Sequence, residues 1–232
     1  MDLVWDGLQE ALRMLVAGDP ELLRITWLTL RVSGSATLIS LLLGVPVGLL
    51  LGLARFPGRT LVASLVNAGM GLPPVVVGLW VSIFLWRSGP LGFLEAMYTP
   101  AAMVVAQVTI AAPKVAGLTM AGILQLNPKL YLQVQALGAN RRQAYWLLIR
   151  EARFSILAAI MAGFGAVIAE VGASMMVGGN LEGYTRVLST AMVWLVNKGD
   201  FDVAIALSLI LMLLAYAVTA TLTILQHRRR AL

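Results

Sequence analysis

Side chains able to do covalent chemistry are scarce in this sequence. There is no cysteine, and the one histidine, His227, stands in a basic run at the C-terminal end. That excludes thiolate nucleophiles, thiolate zinc sites, histidine metal clusters and Ser-His-Asp triads. One carboxylate, Glu170, and one ammonium, Lys114, interrupt otherwise uncharged apolar runs. Acid/base work or a two-carboxylate site at depth would need a second group beside Glu170, and no other acid lies in such a run. The pattern GxxxxGK[ST] does not occur, so no phosphate-cradling loop of that type is expected. The chemistry that remains is non-covalent: opening, docking and the passage of a solute.

Residues suited to that work fall in four places. Gly69-Met70-Gly71-Leu72-Pro73-Pro74-Val75-Val76-Val77-Gly78 puts two prolines in an apolar run, withdrawing two backbone donors. The freed carbonyls must face protein or a water-filled cavity, because lipid cannot satisfy them; this is either a kink or part of a pathway. Glu170, followed by Gly172, Ala173 and Ser174, sets an ionisable group in a second run, where insertion costs a few kcal/mol and the group faces a bundle interior. By residue count Glu170 lies far from Lys114, whose stem can snorkel from the end of its own run. Gly178-Gly179-Asn180-Leu181-Glu182-Gly183-Tyr184-Thr185-Arg186 is a loop of turn formers. The apolar run Val187 to Val196 that follows is too short to cross a bilayer. Finally, QLNPKLYLQVQALGANRRQAYWLLIREAR, residues 125–153, predicts two short helices capped at Asn127-Pro128 and Asn140 and joined at Gly138, where positive φ is cheap. Exposed Leu132, Val134 and Leu137 would make it either a docking knob or a loop resting on lipid headgroups.

The elements that position these residues are membrane spans. Of 232 residues, 59% are apolar and 12% charged, with a mean hydropathy of +0.87. A soluble domain carries roughly 45–50% apolar and about 25% charged residues. Uncharged runs at Val32–Ala54, Thr60–Trp86 and Val203–Gln226, with two more interrupted once at Lys114 and Glu170, predict five spans, near 25–54, 60–86, 99–124, 154–179 and 203–226. Five spans place the termini on opposite sides. With the C-terminus inside, the inner segments hold ten basic residues and one acid, the outer ones six basic residues and nine acids. That bias sets an N-out, C-in orientation, and the net charge of +6 then needs no nucleic-acid partner. The acidic first ten residues are unlike a signal peptide. Trp5, Leu8, Leu12 and Leu15 predict an amphipathic helix over residues 1–18 on the outer face, in contact with membrane lipid or solvated, ended by Gly18 and followed by an Asp19-Pro20 helix start. Residues 19–226 form the membrane domain, 125–153 its cytoplasmic loop and 227–232 a basic cytoplasmic tail.

The stretch QALGANRRQAYWLLI, residues 135–149, resembles the cytoplasmic signature of ABC importer permeases. Ala136-Leu137-Gly138-Ala139 matches it, whereas Leu132-Gln133-Val134 stands where that signature usually opens with an acid and alanines. Gly71 to Gly78 and Ile168-Ala169-Glu170-Val171-Gly172-Ala173, with Gly179-Asn180 and Gly183-Tyr184-Thr185-Arg186, are similar to segments of the permeases for molybdate, tungstate and sulfate, closest to the tungstate type. The resemblance implies an all-α integral membrane fold, a five-span type I importer permease (MetI-like), in a prokaryotic cell (inner) membrane. It implies a second copy of the chain, an ABC ATPase subunit that holds ATP and magnesium, and an external oxyanion-binding protein. It implies no cofactor and no catalytic or metal site in this chain. Docking on the ATPase would fall to Ala136, Leu137, Gly138, Ala139 and Arg141. The pathway would fall to Pro73, Pro74, Glu170, Gly172 and Ser174. The outer gate and binding-protein contact would fall to Asn180, Tyr184, Thr185 and Arg186. Since Glu170 cannot attract an anion, it is expected to hydrogen-bond backbone or hydroxyls, and no deep anion cage is expected. A sulfate-type permease, a secondary transporter with buried ion-coupling charges and an intramembrane hydrolase are the alternatives.

Overall fold

The computed structural model describes residues 2–127 and 129–228, and every regular element among them is helical. In chain order these are α1 (Asp2–Ala17), α2 (Pro20–Leu53), α3 (Arg59–Met70), α4 (Pro74–Leu85), a single 3-10 turn at Gly92–Leu94, α5 (Pro100–Leu124), α6 (Leu130–Ala136), α7 (Arg141–Glu151), α8 (Arg153–Ile168), α9 (Gly172–Gly178), α10 (Leu188–Lys198) and α11 (Phe201–Arg228). Pro128 and residues 229–232, which include most of the expected basic tail, lie outside the described residues.

Local chemistry sets the ends. Gly18 at φ 63° closes α1. The Asp19 carboxylate then accepts the N–H groups of Glu21 and Leu22 at 2.8 and 2.9 Å, with Pro20 in the first helical position. α2 has 34 residues, about 50 Å at 1.5 Å per residue, so it extends well past a hydrocarbon core of ~30 Å.

Three helices, α2, α5 and α11, are each long and apolar enough to cross a membrane, and α3 with α4 and α7 with α8 qualify as bent pairs. Two of the expected spans are broken. Residues 60–86 were expected as one span, but α3 and α4 turn by 106° between them. Gly71 ends α3, and Pro73-Pro74 restart a helix whose first donors, Val76 and Val77, bond to the Pro73 carbonyl. Residues 154–179 were likewise expected as one span, yet α8 stops at Ile168 and α9 begins at Gly172. Hydropathy averages over such a break because its residues are nearly all apolar or small.

The most extensive interface joins α2 to α5. Ser40, Gly44, Gly48 and Gly52 recur every four residues along α2, and a Cβ at Gly44 or Gly48 would lie 2.8 or 2.5 Å from the carbonyl oxygens of Ala112 or Ala116. Lipid gives apolar side chains little reason to prefer one another, so close packing through small residues holds membrane helices together. α8 packs across both helices. A second cluster joins Leu22 and Ile25 of α2 to Leu188 and Leu195 of α10 and Leu207 of α11, and Met14 of α1 packs against it. α1 lies on α11 through small residues: Ala11 is buried, and a Cβ at Gly7 would lie 2.7 Å from that of Ile205. Its stripe of Trp5, Leu8, Leu12 and Leu15 is exposed on the protein.

Candidate functional site

The two broken spans meet at their breaks. α4 packs on α9, and a Cβ on Gly78 would lie 2.6 Å from Cα of Ala173, while one on Gly172 would lie 2.7 Å from Val75 Cγ2. At Gly78 the neighbour is the backbone of α9, so a larger residue there requires the helices to move apart, whereas at Gly172 the neighbour is the Val75 side chain. Pro73 is exposed beside this contact, and Pro74 and Gly172 are half-buried.

Glu170 secures the second break. It is 7% exposed, and its Oε1 accepts the Ala173 N–H at 2.8 Å, satisfying one of the orphan donors at the start of α9. Its main-chain carbonyl accepts from the Ser189 hydroxyl at 2.9 Å. Beside Ser189, the Leu188 N–H donates to Thr29 Oγ1 at 2.9 Å, and that hydroxyl donates to the Ile25 carbonyl. One chain of buried hydrogen bonds thus links α9, the break, α10 and α2. Ser174 is 1% exposed, and its Oγ accepts from Gln107 Nε2 at 3.2 Å. It fastens α9 to α5 and presents no hydroxyl to an open surface. Gln107, Ser189 and Thr29 went unnoticed in the sequence. Gln107 had a signal, since it is the one amide in the apolar run 99–124; the two hydroxyl residues had none.

At the end reached by α5 and α8, α6 and α7 form an elbow. Gly138 has φ 89°, outside what a side chain tolerates well. Asn140 and Gln143 form a reciprocal cap for α7, with both bonds at 2.9 Å. Leu137, at 88% exposed, is the tip, and Ala136, Gly138 and Arg141 are exposed while Ala139 is half-buried. Of the three apolar residues expected to be exposed, Leu132 and Leu137 are, but Val134 is half-buried, because it lies on the side of α6 turned toward the rest of the elbow. Tyr131 and Tyr145 pack at 5.4 Å between ring centres and hold α6 to α7. Desolvation and the adjoining Tyr145 hydroxyl raise the Tyr131 phenol above its ordinary value, opposed by Arg141.

The loop after α9 is closed from within. Thr185, with no exposed surface, accepts the Leu181 N–H at 2.9 Å and donates to the Gly178 carbonyl at 2.6 Å. Asn180 takes a left-handed backbone, φ 48°. Arg186 is also buried, 7% exposed. It donates to Glu182 Oε2 at 3.2 Å, and its guanidinium carbon lies 4.3 Å from the centre of the Trp194 ring. Of the four expected gate residues, Tyr184 is exposed, Asn180 half-buried, and Thr185 and Arg186 are in the interior.

Comparison with known proteins fits this geometry. A family model described as binding-protein-dependent transport system inner membrane component matches residues 44–231. The tungstate uptake system permease protein of Peptoclostridium acidaminophilum is 36% identical over 88% of this chain and 90% of its own. A probable anion ABC transporter permease protein of Haloferax volcanii is 38% identical over 83% of this chain and 86% of its own. Among solved structures, a bacterial alginate ABC transporter in complex with alginate pentasaccharide-bound periplasmic protein contains a chain that superposes with a TM-score of 0.71 at 22% identity, covering 96% of this chain and 86% of that one. At that identity the likeness concerns the fold.

Proposed function

This chain belongs to the binding-protein-dependent transport system inner membrane components, multi-pass permeases of ABC importers, and from that premise we propose that it is the permease subunit of an ATP-driven tungstate importer. Two copies would form the pathway, each seated on an ATPase subunit, with an external binding protein delivering the oxyanion. Tungstate and an anion are what the two relatives above are named for. The orientation that goes with this reading is N-terminus outside, with the α6–α7 elbow in the cytosol and the α9–α10 loop outside.

The observation that carries the motor-driven reading is the elbow, an apolar tip at Leu137 held on a rigid, capped hairpin by a positive-φ glycine. A face of this kind suits the groove of a partner. From it the route inward is short. α7 runs into α8 with a bend of 56°, α8 ends at the Glu170 break, and α9 beyond that break is locked against α4. Closure of an ATPase pair would move the elbow as a rigid body, and the two breaks are where the helices can change direction. The Glu170 carboxylate serves this by keeping α9 capped through the change. Weak contacts along the path suit conduction, since a solute bound tightly in transit would not leave.

The test is tungsten and molybdenum content of cells with and without the gene, supplied with tungstate and molybdate in competition, together with co-purification of the tagged permease. Gene-dependent tungsten uptake and an ATPase retained on the permease are expected. Uptake by the purified chain alone would defeat the reading.

A further inference from the structure

A cavity of about 480 Å³ lies between the first turns of α2 and the α9–α10 loop, and its wall sets Arg24, Arg31 and Arg186 against two carboxylates, Glu21 and Glu182. Its charge is poorly matched. Arg24 and Arg31 stand seven residues apart on α2, two turns, and neither has a hydrogen bond or ion pair among the described residues. Arg24 lies against the loop itself: a Cβ on Gly183 would be 3.0 Å from its Nη1.

Arg186 is the more telling member. A guanidinium offers five N–H donors, yet this one, 7% exposed, makes a single hydrogen bond, to Glu182. Its Nε is sealed from solvent without an acceptor. A buried cation so incompletely bonded costs stability, and the carboxylate bonded to it, on Glu182, is two-thirds exposed and free to swing away. Guanidinium groups converging from two elements match the geometry of a tetrahedral oxyanion, which accepts bidentate bonds from several at once.

We infer that this cavity is a binding site for a tetrahedral oxyanion, held by Arg24, Arg31 and Arg186, with the Glu182 carboxylate as the internal competitor for Arg186. A free oxyanion and a phospholipid headgroup share that chemistry. That the occupant is the transported anion rests on the function proposed above; that the cavity takes an oxyanion does not.

The purified full-length chain, in a phosphate-free maltoside detergent, is titrated with sodium tungstate by calorimetry at fixed ionic strength. In parallel, native mass spectrometry follows retention of phosphatidylglycerol. A free-anion site gives saturable tungstate binding, weakened at least tenfold in Arg24→Gln/Arg31→Gln, whose residues are exposed and safe to change, and strengthened several-fold in Glu182→Gln. A headgroup site gives no tungstate binding but phosphatidylglycerol retained by the wild type and lost from Arg24→Gln/Arg31→Gln. Absence of both, or indifference of both to the substitutions, overturns the inference. Binding by the isolated chain needs neither ATPase nor uptake, so gene-independent tungsten uptake with intact titrations would sink the transport assignment and leave this site standing.

Discussion

Gly78 of α4 and Ala173 of α9 are so close that a Cβ on the glycine would lie 2.6 Å from the alanine Cα. The atom it would meet is backbone, so no rotamer change can relieve the clash. The two discontinuous helices are thereby registered against each other at their breaks, and a shift of one must carry the other.

Gly78→Ala should therefore push α4 from α9 at a cost of about 1–3 kcal/mol, the range for overpacking a core. A lower melting temperature in detergent and reduced uptake are expected together. Gly34→Ala is the control, because nothing lies within 4 Å of a Cβ at that position. Equal damage at both would show that the effect has nothing to do with the α4–α9 contact.

Glu170 predicts a graded series. Gln at this position keeps an oxygen for the Ala173 N–H but loses the charge, whereas Ala removes the acceptor. A hydrogen bond to a charged group contributes about 1.5–3 kcal/mol, so the yield of folded protein should fall from wild type to Glu170→Gln to Glu170→Ala. The ratio of tungstate to molybdate uptake should stay constant through the series. A shifted ratio would put the carboxylate in contact with the anion and remove its structural assignment.

These two sites differ in how far the sequence displays them. Pro73-Pro74 announces its break, because proline's missing donor is a property of the residue alone, and Asp19-Pro20 and Gly138 are legible for the same kind of reason. The break at residues 169–171 hides, since its flanks are as apolar as the helices around them and its cap is a tertiary outcome. Along α1 the eye goes to Trp5 and Leu8, which hydropathy weights heavily, while the residues that pack on α11 are Gly7 and Ala11. Arg186 reads as a surface charge until Trp194 of α10 is seen lying over it. Position in the bundle, not residue type, buries it.

Gly138→Val tests the elbow. Valine at φ 89° combines a β-branched side chain with a left-handed backbone, a strain of about 1–3 kcal/mol. The hairpin should distort there while the membrane helices keep their packing, because nothing lies within 4 Å of a Cβ at this position. Unchanged melting with weakened retention of the ATPase in pull-down is expected. Gly138→Asn should lose less, since asparagine visits that region more readily. Full retention by the valine variant would count against the elbow as the docking point.

Thr185→Val isolates the loop that shapes the arginine cavity. Valine fills the same volume but cannot accept the Leu181 N–H or donate to the Gly178 carbonyl. Leaving buried groups unbonded costs about 1–3 kcal/mol each. The loss falls on a short segment already strained by the left-handed Asn180, so local opening should precede any global change. Hydrogen exchange of residues 178–186 should accelerate by at least tenfold while α5 stays protected. Thr185→Ser, which keeps the hydroxyl, should exchange close to the wild-type rate. Because Arg186 bonds through its own N–H to the Leu181 carbonyl at 3.0 Å, loosening this turn should also release the guanidinium from Trp194. The valine variant should then bind tungstate more weakly although no arginine has been changed. Wild-type binding with an opened loop would mean that Arg24 and Arg31 hold the anion without help from Arg186.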